Sequence, residues 1–291
     1  MRRLLITLAL LFSTLAAQAD DRLFYQPLNV DASLSDAQWQ QIWRASAAQG
    51  AKTLIVQWTA YGDSDFGGAS GWLARSLKSA HDNGLQLVLG LYMDPAYYQR
   101  QSELDAPGLE AYWQHQLGRS LAQQRQLDQQ WKLPVAAWYL PMELDDWHFQ
   151  AVERRQVLQR QLKDFAGQLK APLQLSAFSG GKLAPQVYGE WLGQIAGLGV
   201  QVWWQDGAGT GALRERVRQA YAAALPCPVG IVREAFRQTS AAGQTFRAEP
   251  AAPSSASTGC HASAVFEVRY RPWGTPLLDN QRARAGTALH P

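Results

Sequence analysis

The chain has 291 residues, with 27 basic and 24 acidic side chains, 47% hydrophobic and 18% charged residues, and 12 tryptophans beside 10 tyrosines. That length admits one large domain or two small ones. The near-balance of charge, with no Lys/Arg cluster interleaved with aromatics, speaks against a nucleic-acid partner and gives no general field for polyanions.

Arg2 and Arg3 open the chain, followed by an apolar run from Leu4 to Leu15 and then Ala17-Gln18-Ala19. A basic n-region, an apolar h-region and an A-x-A ending form a secretory signal peptide over 1–19. The run is shorter than the roughly 20 residues of a membrane span, so cleavage is preferred to anchoring and no stable membrane insertion is expected afterwards. Loss of 1–19 removes two arginines and no other charge, taking the formal net charge from +3 to +1. The expected location is periplasmic or secreted.

From position 20 two textures alternate. Short β-rich apolar runs occur at 23–28, 52–58, 85–92, 135–140, 173–178, 200–204, 229–232 and 264–270. Helical stretches lie between most of them, at 35–49, 71–83, 109–131, 151–169, 185–196 and 211–224. Continuously apolar strands imply burial on both faces, as in a parallel sheet flanked by helices. Ser35 with Gln38 reads as a capping box opening the first helix. Gly50 and Asn83-Gly84 read as helix ends running into strands. Eight βα units in about 250 residues predict a single (β/α)8 TIM-like barrel over 20–275. The rival, a doubly wound open sheet, lacks a G-x-G-x-x-G after the first strand.

The alternation breaks over 241–257, which is rich in Ala, Ser, Pro and Gly. An irregular segment is expected to replace the seventh helix there. Cys227 and Cys260, an even pair in an exported chain, are expected to fasten it as a disulfide. Residues 276–291 have tail composition and are a candidate for disorder.

In a barrel, functional residues sit at the C-terminal strand ends. Strand two delivers Gln57, Trp58 and Tyr61; strand three, Tyr92 and Asp94; strand four, Tyr139, Glu143, Asp145 and Asp146. Strand six delivers Trp204, Gln205 and Asp206; strand seven, Glu234; and Trp273 follows strand eight. Glu143 and Glu234 face each other across such a mouth and are the expected catalytic pair. One carboxyl can protonate a leaving oxygen while the other acts as nucleophile or base. A gap of about 5–5.5 Å implies retention and a wider one inversion. Against this, Glu143 could cap the following helix, and Glu234 could pair with Arg233 or Arg237. Gln57, Trp58, Tyr61, Asp94, Tyr139, Asp145, Trp204, Gln205, Asp206 and Trp273 are expected to bind substrate, because aromatic platforms stack on sugar faces while amides and carboxylates take hydroxyls. Trp39, Trp43, Trp72, Trp113 and Trp191 fall within helices and are expected to pack the barrel wall.

Glu143, Asp145, Asp206 and His148 offer donors for a hard cation, but the calcium-loop spacing D-x-D-x-D-G is absent. No metal or other cofactor is expected. No G-x-S-x-G marks a serine hydrolase.

The segments Thr53-Leu54-Ile55-Val56-Gln57-Trp58-Thr59, Leu89-Gly90-Leu91-Tyr92-Met93-Asp94, Trp138-Tyr139-Leu140-Pro141-Met142-Glu143-Leu144-Asp145-Asp146 and Gln205-Asp206-Gly207-Ala208-Gly209 resemble a bacterial family of domains of unknown function. That family is assigned to glycoside-hydrolase-like TIM barrels, and the match runs in order from about Phe24 to Phe236. The two glutamates are also similar to those of the large retaining clan of glycosidase barrels. That second resemblance implies Glu143 as acid/base and Glu234 as nucleophile. The clan usually has Asn before its strand-four glutamate, where this chain has Met142, and Glu143 lies beyond the apparent strand end.

The sequence therefore supports three readings. The first is a glycoside hydrolase acting on a polysaccharide in or outside the envelope. The second is a catalytically silent carbohydrate-binding barrel accessory to polysaccharide export. The third is a structural envelope protein.

Overall fold

A computed structural model describes residues 21–241, 244–255 and 258–287. The signal segment 1–19 lies outside the described residues. Eight parallel strands close into a barrel: β1 (Arg22–Tyr25), β2 (Thr53–Val56), β3 (Gln86–Gly90), β4 (Val135–Asp145), β5 (Leu173–Phe178), β6 (Gln201–Gln205), β7 (Gly230–Glu234) and β8 (Ser263–Phe266). Around them run α1 (Asp36–Ala48), α2 (Trp72–Asp82), α3 (Tyr97–Glu103), α4 (Ala106–Gln126), α5 (Val152–Ala166), α6 (Pro185–Ala196), α7 (Glu215–Ala224) and α8 (Thr275–Thr287). Among the described residues no helix is long and apolar enough to cross a membrane.

Local chemistry sets these boundaries. Ser35 Oγ accepts from the Gln38 N–H and Gln38 Oε1 accepts from the Ser35 N–H, the reciprocal capping box that fixes the start of α1. Asp105 caps α4 by accepting from the Gly108 N–H at 2.9 Å.

Strand parity builds two cores. Phe24, Ile55, Val88, Ala137, Tyr139, Trp203, Val232 and Ala264 fill the barrel interior, while their neighbours Tyr25, Leu54, Val56, Leu87, Leu89, Trp138, Leu140, Val202 and Trp204 face the helices. Trp203 fits inside because Gly230 stands opposite: a Cβ there would lie 2.4 Å from the indole ring. Its Nε1 donates to Gln174 Oε1 at 2.9 Å, so the polar edge is satisfied within the barrel. Trp39, Trp43, Trp113 and Trp191 are buried in the wall, and Trp72 stacks on Trp39 with ring centroids 5.8 Å apart.

Among the described residues the seventh crossover carries no helix. Phe236–Gln238 and Ala248–Pro250 pair as an antiparallel hairpin, and Cys227–Cys260 closes the segment with Cα atoms 5.4 Å apart. The end of the chain differs from its tail-like composition. Thr275–Thr287 forms α8, because adjacent Leu277 and Leu278 are buried and the Leu277 carbonyl accepts from Arg269 Nη1 at 2.8 Å.

Candidate active site

Glu143 owes its position to an irregularity in β4. Leu140 pairs with Leu175 and Leu144 with Ala177, so four steps along β4 cover two along β5. The surplus residues bulge. Leu140, Met142 and Leu144 stay on the helix-facing side, while Glu143 turns its carboxylate over the barrel mouth. The strand therefore continues through Glu143, whereas the apolar run suggested an end at Leu140.

Three side chains, two from strand ends and one from α3, donate to that carboxylate. Gln205 Nε2 reaches Oε1 at 2.7 Å and Gln57 Nε2 reaches Oε1 at 3.4 Å, while the Tyr98 hydroxyl reaches Oε2 at 2.5 Å. Gln57 is oriented in turn by Gln26, whose Nε2 donates to Gln57 Oε1 at 2.8 Å. Gln57 can then present only its NH2 to Glu143. Gln26 is clamped through its backbone: its N–H donates to Glu267 Oε2 at 2.8 Å and its carbonyl accepts from Arg269 Nη2 at 3.0 Å. Below lies a buried ion network in which Arg269 meets Glu267 at 2.8 Å and Asp31 at 3.0 Å. Burial pushes the Glu143 carboxyl above its ordinary range, the Tyr98 and Gln205 hydrogen bonds pull it back, and Asp145 adds a smaller upward push.

Glu234 ends β7, and its Oε2 accepts from two successive backbone donors, Gly209 N at 2.5 Å and Thr210 N at 3.2 Å. Only glycine permits this approach, since a Cβ at 209 would meet the Phe236 carbonyl at 2.5 Å and Glu234 Oε2 at 2.9 Å. Burial and neighbouring Asp206 push the Glu234 carboxyl up to about 7 against the two N–H bonds, with a further push from Glu143. Glu143 and Glu234 line one cavity of about 230 Å³ together with Phe178, Gln205, Asp206 and Arg218.

The remaining expected site residues divide. Gln57, Gln205 and Asp206 belong to this cluster; Asp206 Oδ1 accepts from Ala208 N at 3.0 Å and Glu234 N at 3.4 Å. Trp58 and Tyr61 lie together at the end of β2, centroids 5.0 Å apart, with Trp58 buried and Tyr61 exposed. The others turn elsewhere. Tyr139 is inside the barrel and donates to Ser176 Oγ at 2.7 Å. Trp204 faces the helices because Trp203 takes the interior. Trp273 donates to Ser46 on α1 at 2.8 Å, outside the mouth. Tyr92 is covered by the Arg119 guanidinium, 3.8 Å from its ring centroid.

Among the loop acids, Asp94 accepts from Ala96 N, Tyr112 and Gln116 and so fastens α3 and α4. Asp145 accepts from the Trp147 and His148 backbones and from His148 Nδ1, all at 2.7–2.8 Å. Asp146 ties the β5–α6 loop through Gly180, Lys182 and Leu183. Asp145 and His148 thus satisfy each other. Among the described residues no cluster of three or more His, Cys, Asp or Glu side chains is arranged to hold a metal. Both carboxylates line the cavity, and Arg237 reaches Glu249 at 3.4 Å rather than Glu234.

Two members of the cluster were invisible in the sequence. Tyr98 rides on α3, a seven-residue helix too short for a periodicity signal; the only hint is Asp94-Pro95, a helix-start pair. The residue is 42% exposed while its hydroxyl is turned inward onto Glu143. Gln26 follows β1 with no neighbouring polar residue to mark it.

With this geometry in hand, comparison with known proteins places the chain. A family model described as "Domain of unknown function (DUF4434)" matches residues 21–258. The chain belongs to the DUF4434 family. Escherichia coli (strain K12) has a relative, the uncharacterized protein YbcH, 30% identical over 278 residues covering 88% of this chain and 92% of that one. Among solved structures, a candidate α-L-fucosidase from Bacteroides thetaiotaomicron superposes with a TM-score of 0.50 at 14% identity, covering 90% of this chain and 92% of that one. The Bacillus cereus spore cortex-lytic enzyme SleL gives 0.50 at 11% identity, covering 90% and 74%. At such identities the likeness is one of fold alone, a (β/α)8 barrel.

Proposed function

We propose that this DUF4434 barrel is a glycoside hydrolase acting on a polysaccharide in the cell envelope or outside it. The observation that carries the reading is the shared cavity of Glu143 and Glu234, two buried carboxyls from separate strand ends, both held above their ordinary range. Paired carboxyls that differ in environment are what acid-assisted glycosidic cleavage requires. Phe178 in the cavity wall and the exposed Tyr98 ring, centroids 6.5 Å apart, offer apolar faces to a sugar beside Glu143. Gln205, Asp206 and Arg218 in the cavity wall supply polar contacts for hydroxyls. The Cys227–Cys260 disulfide fits an oxidising compartment, and the signal peptide read over 1–19 supplies the route there.

The test is a screen of purified protein against bacterial exopolysaccharides and wall glycans for release of reducing ends. Release by the wild type and its loss in Glu143→Gln is the expected result. A folded wild type that releases nothing from any of them overturns it. One feature favours a second reading, a barrel that binds glycan without cleaving it: both oxygens of Glu143 already accept hydrogen bonds. That reading predicts saturable binding to the same polymers with no release.

A further inference from the structure

We infer that Glu234 carries the proton for the leaving oxygen and Glu143 is the standing carboxylate, the reverse of the order that the retaining-clan resemblance implies. The inference rests on the glycoside-hydrolase reading and deepens it by assigning roles.

Hydrogen-bond polarity around Glu143 is the first argument. Gln205 and Gln57 both point amide N–H groups at Oε1, and Gln57 is locked in that sense by Gln26. An amide nitrogen cannot accept, so a proton on Oε1 would have no partner and would displace two donors. Oε2 is occupied by the Tyr98 hydroxyl at 2.5 Å. The two amide donors on Oε1 favour the ionised form, and the Tyr98 hydroxyl adds a hydrogen bond at Oε2.

Glu234 is built differently. Both of its donors, Gly209 N and Thr210 N, converge on Oε2. Oε1 takes part in no hydrogen bond among the described residues and remains free to hold a proton.

Neighbouring charges act the same way. Glu234 meets Asp206 from β6 and, across the cavity, Glu143 from β4, each of which disfavours a second negative charge. Burial pushes the Asp206 carboxyl up too, against the Ala208 and Glu234 N–H groups and the Arg218 and Arg233 charges, so of the two adjacent carboxyls Asp206 is the one that cations favour. His148 is held by Asp145 and Ser102, away from this pair.

In the reaction the Glu234 Oε1–H bond breaks and its proton passes to the glycosidic oxygen as the C1–O bond breaks towards that oxygen. The Glu143 carboxylate either bonds to C1 or takes a proton from the water that does so. The roles are the same on both routes. Tyr98, Gln57 and Gln26 are positioning residues in this scheme, since they act through Glu143.

The decisive experiment is a carboxyl-carbon NMR titration of protein labelled with 13C at glutamate Cδ, in wild type, Glu234→Gln and Glu143→Gln. The resonance missing from Glu234→Gln is expected to titrate near pH 7. The one missing from Glu143→Gln is expected to stay ionised through that midpoint. The opposite order overturns the assignment, whether or not any glycan is cleaved.

Turnover supplies the second arm, using aryl glycosides of the sugar that the wild type releases. Glu234→Gln should lose about 100-fold or more on unactivated linkages, the usual contribution of a general acid. On 2,4-dinitrophenyl glycosides, whose leaving group needs no proton, its loss should stay below about 10-fold. Glu143→Gln should lose activity on both. A wild type without turnover would sink the hydrolase reading, while the titration order would still decide which carboxyl holds the proton.

Discussion

The Tyr98 hydroxyl lies 2.5 Å from Oε2 of Glu143 and joins two elements 45 positions apart in sequence. The contact exists because α3 follows β3 so closely. Asp94 accepts from Ala96 N, the chain turns into a seven-residue helix, and Tyr97 anchors it by donating to the Glu143 carbonyl at 2.7 Å. Tyr97 and Tyr98 thus grip the main chain and side chain of one residue.

Tyr98→Phe removes one hydroxyl and leaves the ring. The Tyr98 hydrogen bond holds the Glu143 carboxyl down, so its loss should move the acidic limb of the pH–rate profile to higher pH. A drop of about 10-fold in kcat with a change of less than about 1 kcal/mol in stability is expected, as for one hydrogen bond at a partly exposed ring. An acidic limb that moves to lower pH would contradict this account of the contact.

Much of this arrangement was legible beforehand, and the exceptions have physical causes. The segments 173–178 and 185–196 have the same bounds in sequence pattern and in fold, because apolar continuity and a Pro start are local signals. Gln57 and Gln205 were legible as amides at strand ends, which a parallel barrel points one way. Pro141 made β4 seem to stop early, since proline ends most ladders, and here it lies inside a bulge. Trp204 was misplaced because adjacent tryptophans differ only in parity. The space that admits Trp203 comes from Gly230, on another strand. Gln26 and Arg269 act through partners more than 30 and 200 positions away, and such pairings depend on barrel register, which no local window contains.

Glu234 should make the protein less stable as pH rises. Its folded pKa is about 7 against an ordinary value of 4.5, so the native state binds more protons between these limits. The slope of unfolding free energy with pH is then negative across that interval, and the loss is complete above about pH 7. Its full extent is at most ~3.5 kcal/mol, from about 1.4 kcal/mol per pKa unit. Glu267, also raised to about 7, contributes in the same direction. Because Glu267 is present in both proteins, the Tm gap between Glu234→Gln and wild type isolates Glu234. That gap should widen in favour of the variant from pH 5 to pH 8; a gap that is flat with pH refutes the shift.

Arg269 should be among the most costly residues to remove. It is 1% exposed and lies against Glu267 and Asp31, themselves 1% and 0% exposed. Arg269→Met would leave two buried acids without their cation, a loss of about 3–5 kcal/mol. Arg269 also holds Glu267 down, so the variant should recover part of the loss in weak acid, where Glu267 takes up a proton. Urea unfolding at pH 5 and pH 8 measures both effects. Equal losses at the two pH values would show that packing, rather than charge, is what the guanidinium supplies.

The disulfide fastens the seventh crossover, which among the described residues holds a hairpin in place of a helix. Cys227 and Cys260 close 33 positions, and a loop of that length stabilises by about 3–4 kcal/mol through lost entropy of the unfolded chain. The bond also bears on the site. Ala235 N donates to the Phe266 carbonyl at 2.6 Å, and Glu234 pairs with Phe266 in the β7–β8 register. A slack crossover would loosen β7 where Glu234 leaves it. Reduction, or Cys227→Ser with Cys260→Ser, should therefore lower Tm. At temperatures where the reduced chain remains folded, turnover should fall more than glycan binding, because Gly209 and Thr210 must meet Glu234 Oε2 within hydrogen-bond distance. If Tm drops while turnover is fully kept, the crossover and the carboxyl pair are mechanically independent.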